Sequence, residues 1–182
     1  RLHGKVLAPI LGRPMLDLQL ERIARARRLD KIVVATSVDA SDDALADLCA
    51  GLGVACHRGS LDDVLSRVHA AAASCSAMHV VRLTGDCPLM EPTIIDAVIA
   101  QHLSEDADYT SNVHPCTFPD GLDVEVVRFS ALQEAHARAK RPSEREHVTL
   151  YIYTHPLEFR LSSMQNARDL SAMRWTVDDA RD

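Results

Sequence analysis

Aromatic residues are scarce in this chain, at 4% of its positions, and the apolar share of 47% is carried mainly by Ala, Val, Leu and Ile. That balance suits helices alternating with parallel strands better than a sandwich. Paired cysteines are lacking too. Cys49, Cys56, Cys75, Cys87 and Cys116 are odd in number and scattered, without a C-x-x-C pair, so neither a disulfide framework nor a zinc site is indicated, and they read as reduced thiols of a cytoplasmic protein. No apolar run approaches the roughly 20 residues of a membrane span, and no signal-peptide pattern opens the chain. The sequence therefore predicts a soluble protein with no membrane partner. There is no basic excess either. A net charge of -6 and a pI near 5.8 disfavour a nucleic-acid polymer as partner, while leaving room for a local basic pocket around a small phosphorylated ligand. With no repeat, low-complexity segment or linker, the 182 residues read as one domain with a substantial core.

The strongest positive signal is the stretch Met78-His79-Val80-Val81-Arg82-Leu83-Thr84-Gly85-Asp86-Cys87-Pro88-Leu89. Val80, Val81 and Leu83 fit a buried strand, which Gly85 and Pro88 terminate. In open parallel sheets ligands bind at the carboxyl ends of strands, so Asp86 is placed to hold a metal or phosphate. The competing reading is an Asp that caps the following turn or helix.

Elsewhere the pattern alternates. Pro14 opens a helix with Leu16, Leu20, Ile23 and Ala24 on its apolar face, and 31–36 forms a buried strand. Ser41-Asp42-Asp43 starts a helix to about Leu52, and 54–57 is a short strand. Ser60 caps a helix to about Ser74, and Glu91-Pro92-Thr93 begins another. Right-handed crossovers then predict an α/β fold with a mostly parallel sheet flanked by helices. Further on, 108–112 reads as a strand, and Leu122 to Val127 alternates like a half-exposed edge strand that covers the mouth of a site and invites pairing into a homodimer. Ser130 caps a helix to about Ala139, Pro142 begins another, and 159–161 and 173–177 are the last strand candidates. At the start, Arg1 and Lys5 flank Gly4, a loop that can wrap phosphates or simply stand in solvent.

Taken in order, RLHGKVL, VVRLTGDCPL, FPDGLDVEV, SEREHVT and RWTVDDARD resemble the sugar cytidylyltransferases, specifically the spore-coat polysaccharide biosynthesis group, which is related to the acylneuraminate and 3-deoxy-manno-octulosonate cytidylyltransferases. The resemblance runs over nearly the whole chain. It implies a nucleotide-diphosphosugar-transferase-like, Rossmann-like fold in a single domain over 1–182 that starts after the family's first strand and stops before its final helix. The implied activity is transfer of CMP from CTP to a sugar, an acidic one, with release of pyrophosphate. Arg1 and Lys5 match the basic loop that contacts the triphosphate, Asp86 matches a metal-binding acid, and Asp178 matches a second ligand, with Mg²⁺ as the cofactor.

Each assignment has a plainer rival. Asp178 also reads as part of a solvated acidic helix start. Arg82 either faces nucleotide or pairs with a structural acid. Arg145 and His147 either bind the acceptor's carboxylate or hydroxyls, for which Arg offers a bidentate fork, or pair on a helix surface with Glu144 or Glu146. Asp120, Asp123 and Glu125 either line the sugar pocket or form a polar strand face. His57 and His69 are assigned no role. A glycosyltransferase of similar fold and a non-catalytic nucleotide-binding module stand as the alternative functions.

Overall fold

The computed structural model describes residues 4–179 and 182; Arg1 of the expected phosphate loop lies outside them. A 3-10 turn at Lys5–Leu7 leads into the short strands β1 (Pro9–Ile10) and β2 (Arg13–Pro14), then α1 (Met15–Ile23) and β3 (Val33–Ser37). The 3-10 turn Ala40–Asp42, α2 (Asp43–Gly51), β4 (Ala55–Gly59), α3 (Val64–Ser74) and β5 (His79–Arg82) follow. Next come α4 (Pro92–Ser104), β6 (Tyr109–Ser111), β7 (Glu125–Arg128), α5 (Phe129–Arg138), α6 (Pro142–Glu146), α7 (Leu150–Tyr153) and β8 (Leu161–Ser163).

The α/β class holds, and β3 runs parallel to β4, as β6 does to β8. The expected parallel pattern is broken in two places: β1 pairs antiparallel with β2, and β7 is reversed within its sheet. β7 runs antiparallel between β5 and β6 in a four-stranded sheet of order β5-β7-β6-β8. The segment read as a half-exposed edge is thus a central strand, with Val124, Val126, Val127 and Glu125 all buried. The misleading feature was Glu125, whose charge suggested a solvent face. Inside the protein it is hydrogen-bonded, the condition under which a buried charge is tolerated. A strand paired on both sides offers no free ladder, so the ground for a homodimer at this segment falls away.

Alternation along β7 explains the layering, because successive side chains point to opposite faces. Val127 joins Leu65, Tyr109, Leu132, Val148 and Ile152 on one face. Val124 and Val126 join Met90, Ile95, Val98 and Ile99 on the other. Leu16, Leu20, Leu45 and Cys49 form a third cluster between α1 and α2. Each such side chain contributes about 1.5–3 kcal/mol on burial, so the sheet is fixed between helical layers.

Local capping differs in detail from the sequence reading. Asp63, rather than Ser60, caps α3 by accepting from the Ser66 N–H at 2.9 Å, while Ser60 Oγ accepts from the Asp63 N–H at 3.0 Å. Helix α5 starts at Phe129 with no side-chain cap, so Ser130 is not its cap. The expected strand at 173–177 reduces to a single bridge between Asp120 and Arg174.

Candidate active site

Beyond the end of β5 the chain turns through Thr84-Gly85-Asp86, and two other segments converge on that turn. The first is the amino-terminal 3-10 turn, which Gly4 enters in the left-handed region at φ 66. A Cβ on Gly85 would lie 3.3 Å from Val6 Cγ1, so glycine there lets this turn approach. The second is the carboxyl-terminal strap. The Asp120 N–H donates to the Met173 carbonyl at 3.0 Å and the Trp175 N–H donates to the Asp120 carbonyl at 2.7 Å. The Val177 N–H then donates to the Asp86 carbonyl at 2.9 Å.

The result is a charge cluster assembled from three distant parts of the sequence. Lys5 Nζ donates to Asp86 Oδ2 and to Asp178 Oδ1, each at 2.8 Å. Burial opposes the charge on Lys5, but the hydrogen bonds to Asp178 and Asp86 and their negative charges outweigh it and hold its pKa above the usual value. For Asp86 burial would raise the pKa, yet bonds from Lys5 and Thr84 and the charge of Lys5 leave it below the usual carboxyl range. Arg174 lies 3.4 Å from Asp178 and also pairs with Asp182, which orients the second acid.

A second set of polar groups lies on the ends of β5 and β7. Arg82 is ion-paired with Glu125, its partner across the ladder. Glu125 also accepts from the Tyr109 hydroxyl at 2.6 Å and from Thr149 Oγ1 at 2.5 Å. Of the two readings for Arg82, pairing with a structural acid is the one found. Asp123, two positions earlier, has no side-chain hydrogen bond or ion pair among the described residues. Burial, reinforced by the negative charges of Asp120, Glu125 and Asp86 and only partly offset by Arg82, pushes its carboxyl up to about 6. Asp123 therefore feels both the Asp86 cluster and the Glu125 pair, and stands half-buried beside them.

Arg145 is placed elsewhere. Its Nε lies 3.0 Å from both Asp63 carboxylate oxygens, Nη2 lies 2.5 Å from Oδ2, and Nη1 donates to the His136 carbonyl at 2.7 Å. The guanidinium thus ties the start of α3 to α5, a correction both to the expected acceptor contact and to pairing with Glu144 or Glu146. Glu144 instead accepts from the backbone N–H groups of Lys140 and Arg141. His147 is exposed, and its ring makes no side-chain hydrogen bond among the described residues.

Sequence reasoning missed Gln19. It is buried on α1 and donates from Nε2 to the Thr84 carbonyl at 2.7 Å, supporting the turn that carries Asp86. A polar residue on the apolar face of an amphipathic helix was the available signal. Thr149 and Tyr109, which hold Glu125, carried no comparable signal, since each reads as an ordinary core-edge residue.

Asp86 and Asp178 fit a hard cation such as Mg²⁺, which commonly takes one or two carboxylates and completes its shell with substrate phosphates and water. Among the described residues no group of three His, Cys, Asp or Glu side chains could hold a metal. The donor set therefore suits a cation that arrives with a phosphate ligand better than a permanently bound structural ion. No helix among the described residues is long and apolar enough to cross a membrane.

An α/β sheet with acids and a lysine gathered beyond one strand end defines a Rossmann-like nucleotidyltransferase class, and solved structures agree. The chain superposes with a TM-score of 0.94 on a cytidylyltransferase of Leptospira borgpetersenii, at 31% identity over 98% of this chain and 76% of that one. It shares its fold, at TM-score 0.67 and 15% identity, with CMP:2-keto-3-deoxy-manno-octonic acid synthetase complexed with CTP, over 91% of this chain and 84% of that one. The cytidylyltransferase family matches residues 1–181, and the chain belongs to that family. Among its relatives, an uncharacterised protein of Methanocaldococcus jannaschii is 38% identical over the whole of this chain and 74% of its own length. The spore coat polysaccharide biosynthesis protein SpsF of Bacillus subtilis is 32% identical, over 100% of this chain and 78% of that protein. The mitochondrial 3-deoxy-manno-octulosonate cytidylyltransferase of Arabidopsis thaliana is 36% identical over 68% of this chain and 43% of its own.

Proposed function

We propose that the chain transfers CMP from CTP to a sugar acid, with Mg²⁺ held by Asp86 and Asp178, as a step in making a surface polysaccharide precursor. The observation that carries this reading is the convergence of Lys5 on Asp86 and Asp178, residues 81 and 173 positions away in sequence. Such a cluster offers a cation site and a phosphate-binding ammonium in one place. The relatives named for spore-coat polysaccharide and for 3-deoxy-manno-octulosonate supply the substrate class.

In the reaction a hydroxyl oxygen of the sugar attacks the α-phosphorus of CTP in line. A phosphorus–oxygen bond to the sugar forms as the hydroxyl gives up its proton to solvent, the bond to the bridging oxygen breaks, and pyrophosphate leaves with the electron pair. The protein's part is to position groups and neutralise charge. Asp86 and Asp178 would hold the cation, which when bound would supply Lewis-acid stabilisation of the phosphate oxygens. Lys5, together with Arg1, neutralises the charge growing on the leaving pyrophosphate. Asp123 and Asp120 accept hydrogen bonds from acceptor hydroxyls, and the exposed His147 is the remaining basic candidate for the acceptor carboxylate once Arg145 is committed to Asp63. Arg82 acts through Glu125, holding the strand ends that present Asp123.

Pyrophosphate release measured with each nucleoside triphosphate against a panel of sugars tests the proposal. CTP with a sugar acid should give release that depends on both and on Mg²⁺. Release with no preference for CTP, or none with any sugar, would overturn it.

A further inference from the structure

We propose that Lys5 is an exchangeable occupant of the cation position: its ammonium pairs Asp86 with Asp178 while the site holds no divalent cation, and moves to the incoming phosphates when one binds. This inference rests on the reading above, that Asp86 and Asp178 take Mg²⁺.

Three observations carry it. Lys5 Nζ sits between one oxygen of each acid, at 2.8 Å from both, which is where a cation shared by the two would lie. Mg²⁺ makes bonds of about 2.0–2.1 Å, so replacing the ammonium asks each carboxylate to close by less than about an ångström. The acids are also held near each other without Lys5. The main-chain bond from Val177 to Asp86 at 2.9 Å fixes the strap against the turn, and Arg174 contacts Asp178 from another side. Removing the lysine therefore leaves two apposed carboxylates with less positive charge between them, a better cation site than before. Finally, the Lys5 ammonium can leave while its turn stays docked through Val6 and Leu7. The Lys5 side chain is 20% exposed and carries the charge on a flexible four-carbon stem. Both of its side-chain hydrogen bonds among the described residues go to the two acids a cation would claim. A divalent cation and an ammonium repel each other over the same oxygens, and a triphosphate offers the ammonium new acceptors.

The device has a signature that neither a purely structural nor a purely catalytic lysine shares, because its effect on metal affinity changes sign with nucleotide. Mn²⁺ binding to the purified chain is measured without CTP by loss of the free-ion EPR signal, and with CTP by the enhancement of water-proton relaxation that the protein adds over Mn²⁺–CTP alone. Lys5→Met, which keeps the stem and deletes the charge, should bind Mn²⁺ alone about tenfold more tightly than wild type, and Mn²⁺ with CTP about tenfold more weakly, a coupling of ordinary size. Lys5→Arg should restore the wild-type weakness toward Mn²⁺ alone. An unchanged affinity for Mn²⁺ alone in Lys5→Met, where wild type binds Mn²⁺ with CTP, overturns the exchange while leaving the metal reading intact. No Mn²⁺ binding by wild type under either condition overturns the metal reading and the exchange with it. A measurement on unmutated protein guards against a variant that fails to fold. The chain has only Lys31 and Lys140 besides Lys5, so Mg²⁺ titrated into lysine-¹³Cε-labelled protein should shift the Lys5 resonance and spare the other two. Mg²⁺ that shifts none of the three speaks against the exchange.

Discussion

The backbone N–H of Val177 donates to the carbonyl oxygen of Asp86 at 2.9 Å. That bond joins the carboxyl-terminal strap to the turn after β5 and sets the distance between the two acids of the site. Its strength depends on how the strap crosses residue 121. Gly121 has φ +101, and a Cβ there would lie 2.8 Å from the Trp175 carbonyl carbon.

Gly121→Ala should therefore destabilise the protein by more than about 1 kcal/mol, from the unfavourable φ and the collision together. It should also cut turnover, because the strap carrying Asp178 must shift. Gly4→Ala is the control. Its φ is +66 but a Cβ would meet nothing within 4 Å, so the backbone cost applies without the collision and the loss should be the smaller of the two. Urea melts of the two variants check the order, and equal losses would refute the crossing argument.

The Arg82 to Glu125 pair is expected to behave as a buried network. Glu125 is held by Arg82, Tyr109 and Thr149 at once. Removing only Arg82 leaves a charged acid without its counter-ion, so Arg82→Met should cost about 3 kcal/mol. The double change Arg82→Met with Glu125→Gln should cost less than the sum of the singles, since residues in one network are coupled. A double-mutant cycle by chemical denaturation measures the coupling, and strict additivity would show that the pair contributes nothing as a pair.

Asp123 gives a pH signature in the metal-free protein. Its carboxyl is pushed from 3.8 up to about 6 by burial and by Asp120, Glu125 and Asp86. A raised acid binds its proton more tightly folded than unfolded, so this group's contribution falls as the pH rises from about 4 to about 6 and stays low above that. Asp123→Asn should therefore raise stability at pH 7.5, by about 1–2 kcal/mol after allowance for partial exposure, and change it little at pH 4. If Asp123 accepts an acceptor hydroxyl, the same variant loses activity while gaining stability, the trade-off expected at a functional site. Thermal melts across this range check the sign.

The sequence showed the elements whose signals are local. Val80 and Val81 with Gly85 and Pro88 announced β5 and its end, helical apolar spacing announced α1, and capping signals announced α3 and α4, although Asp63 rather than Ser60 caps α3. Asp86 was legible because a strand end delivers it. What stayed hidden depends on partners far along the chain. Glu125 looked like a solvent-facing charge because nothing near it in sequence reveals Arg82, Tyr109 and Thr149. Arg145 was read as binding the acceptor or pairing with Glu144 or Glu146, because its partner Asp63 lies 82 positions earlier. That Lys5 and Asp178 belong to one site came only from the family resemblance, and their direct contact only from the structure, since no periodicity connects a turn at one end to a strap at the other.

The last prediction concerns whether Asp86 and Asp178 act as one unit. Both accept from the same ammonium at 2.8 Å, so if both hold one Mg²⁺, losing either carboxylate should already remove most of the cation's benefit. Asp86→Asn and Asp178→Asn preserve shape while deleting charge, and activity lost in either reports lost cation binding rather than lost packing. Lys5 complicates the thermal readout. In the metal-free protein each variant removes one of its two anionic partners, so each should lower the melting temperature slightly, a small effect because the pairs are partly exposed. Activity is the cleaner measure. Each single variant should show a raised Mg²⁺ requirement and a large fall in turnover, and the double variant should be little worse than the poorer single, the non-additivity expected of groups that work together. Losses that add, or an Asp178→Asn enzyme with a normal Mg²⁺ response, would assign the cation to Asp86 with other ligands and return Asp178 to the orienting contacts it makes with Lys5 and Arg174.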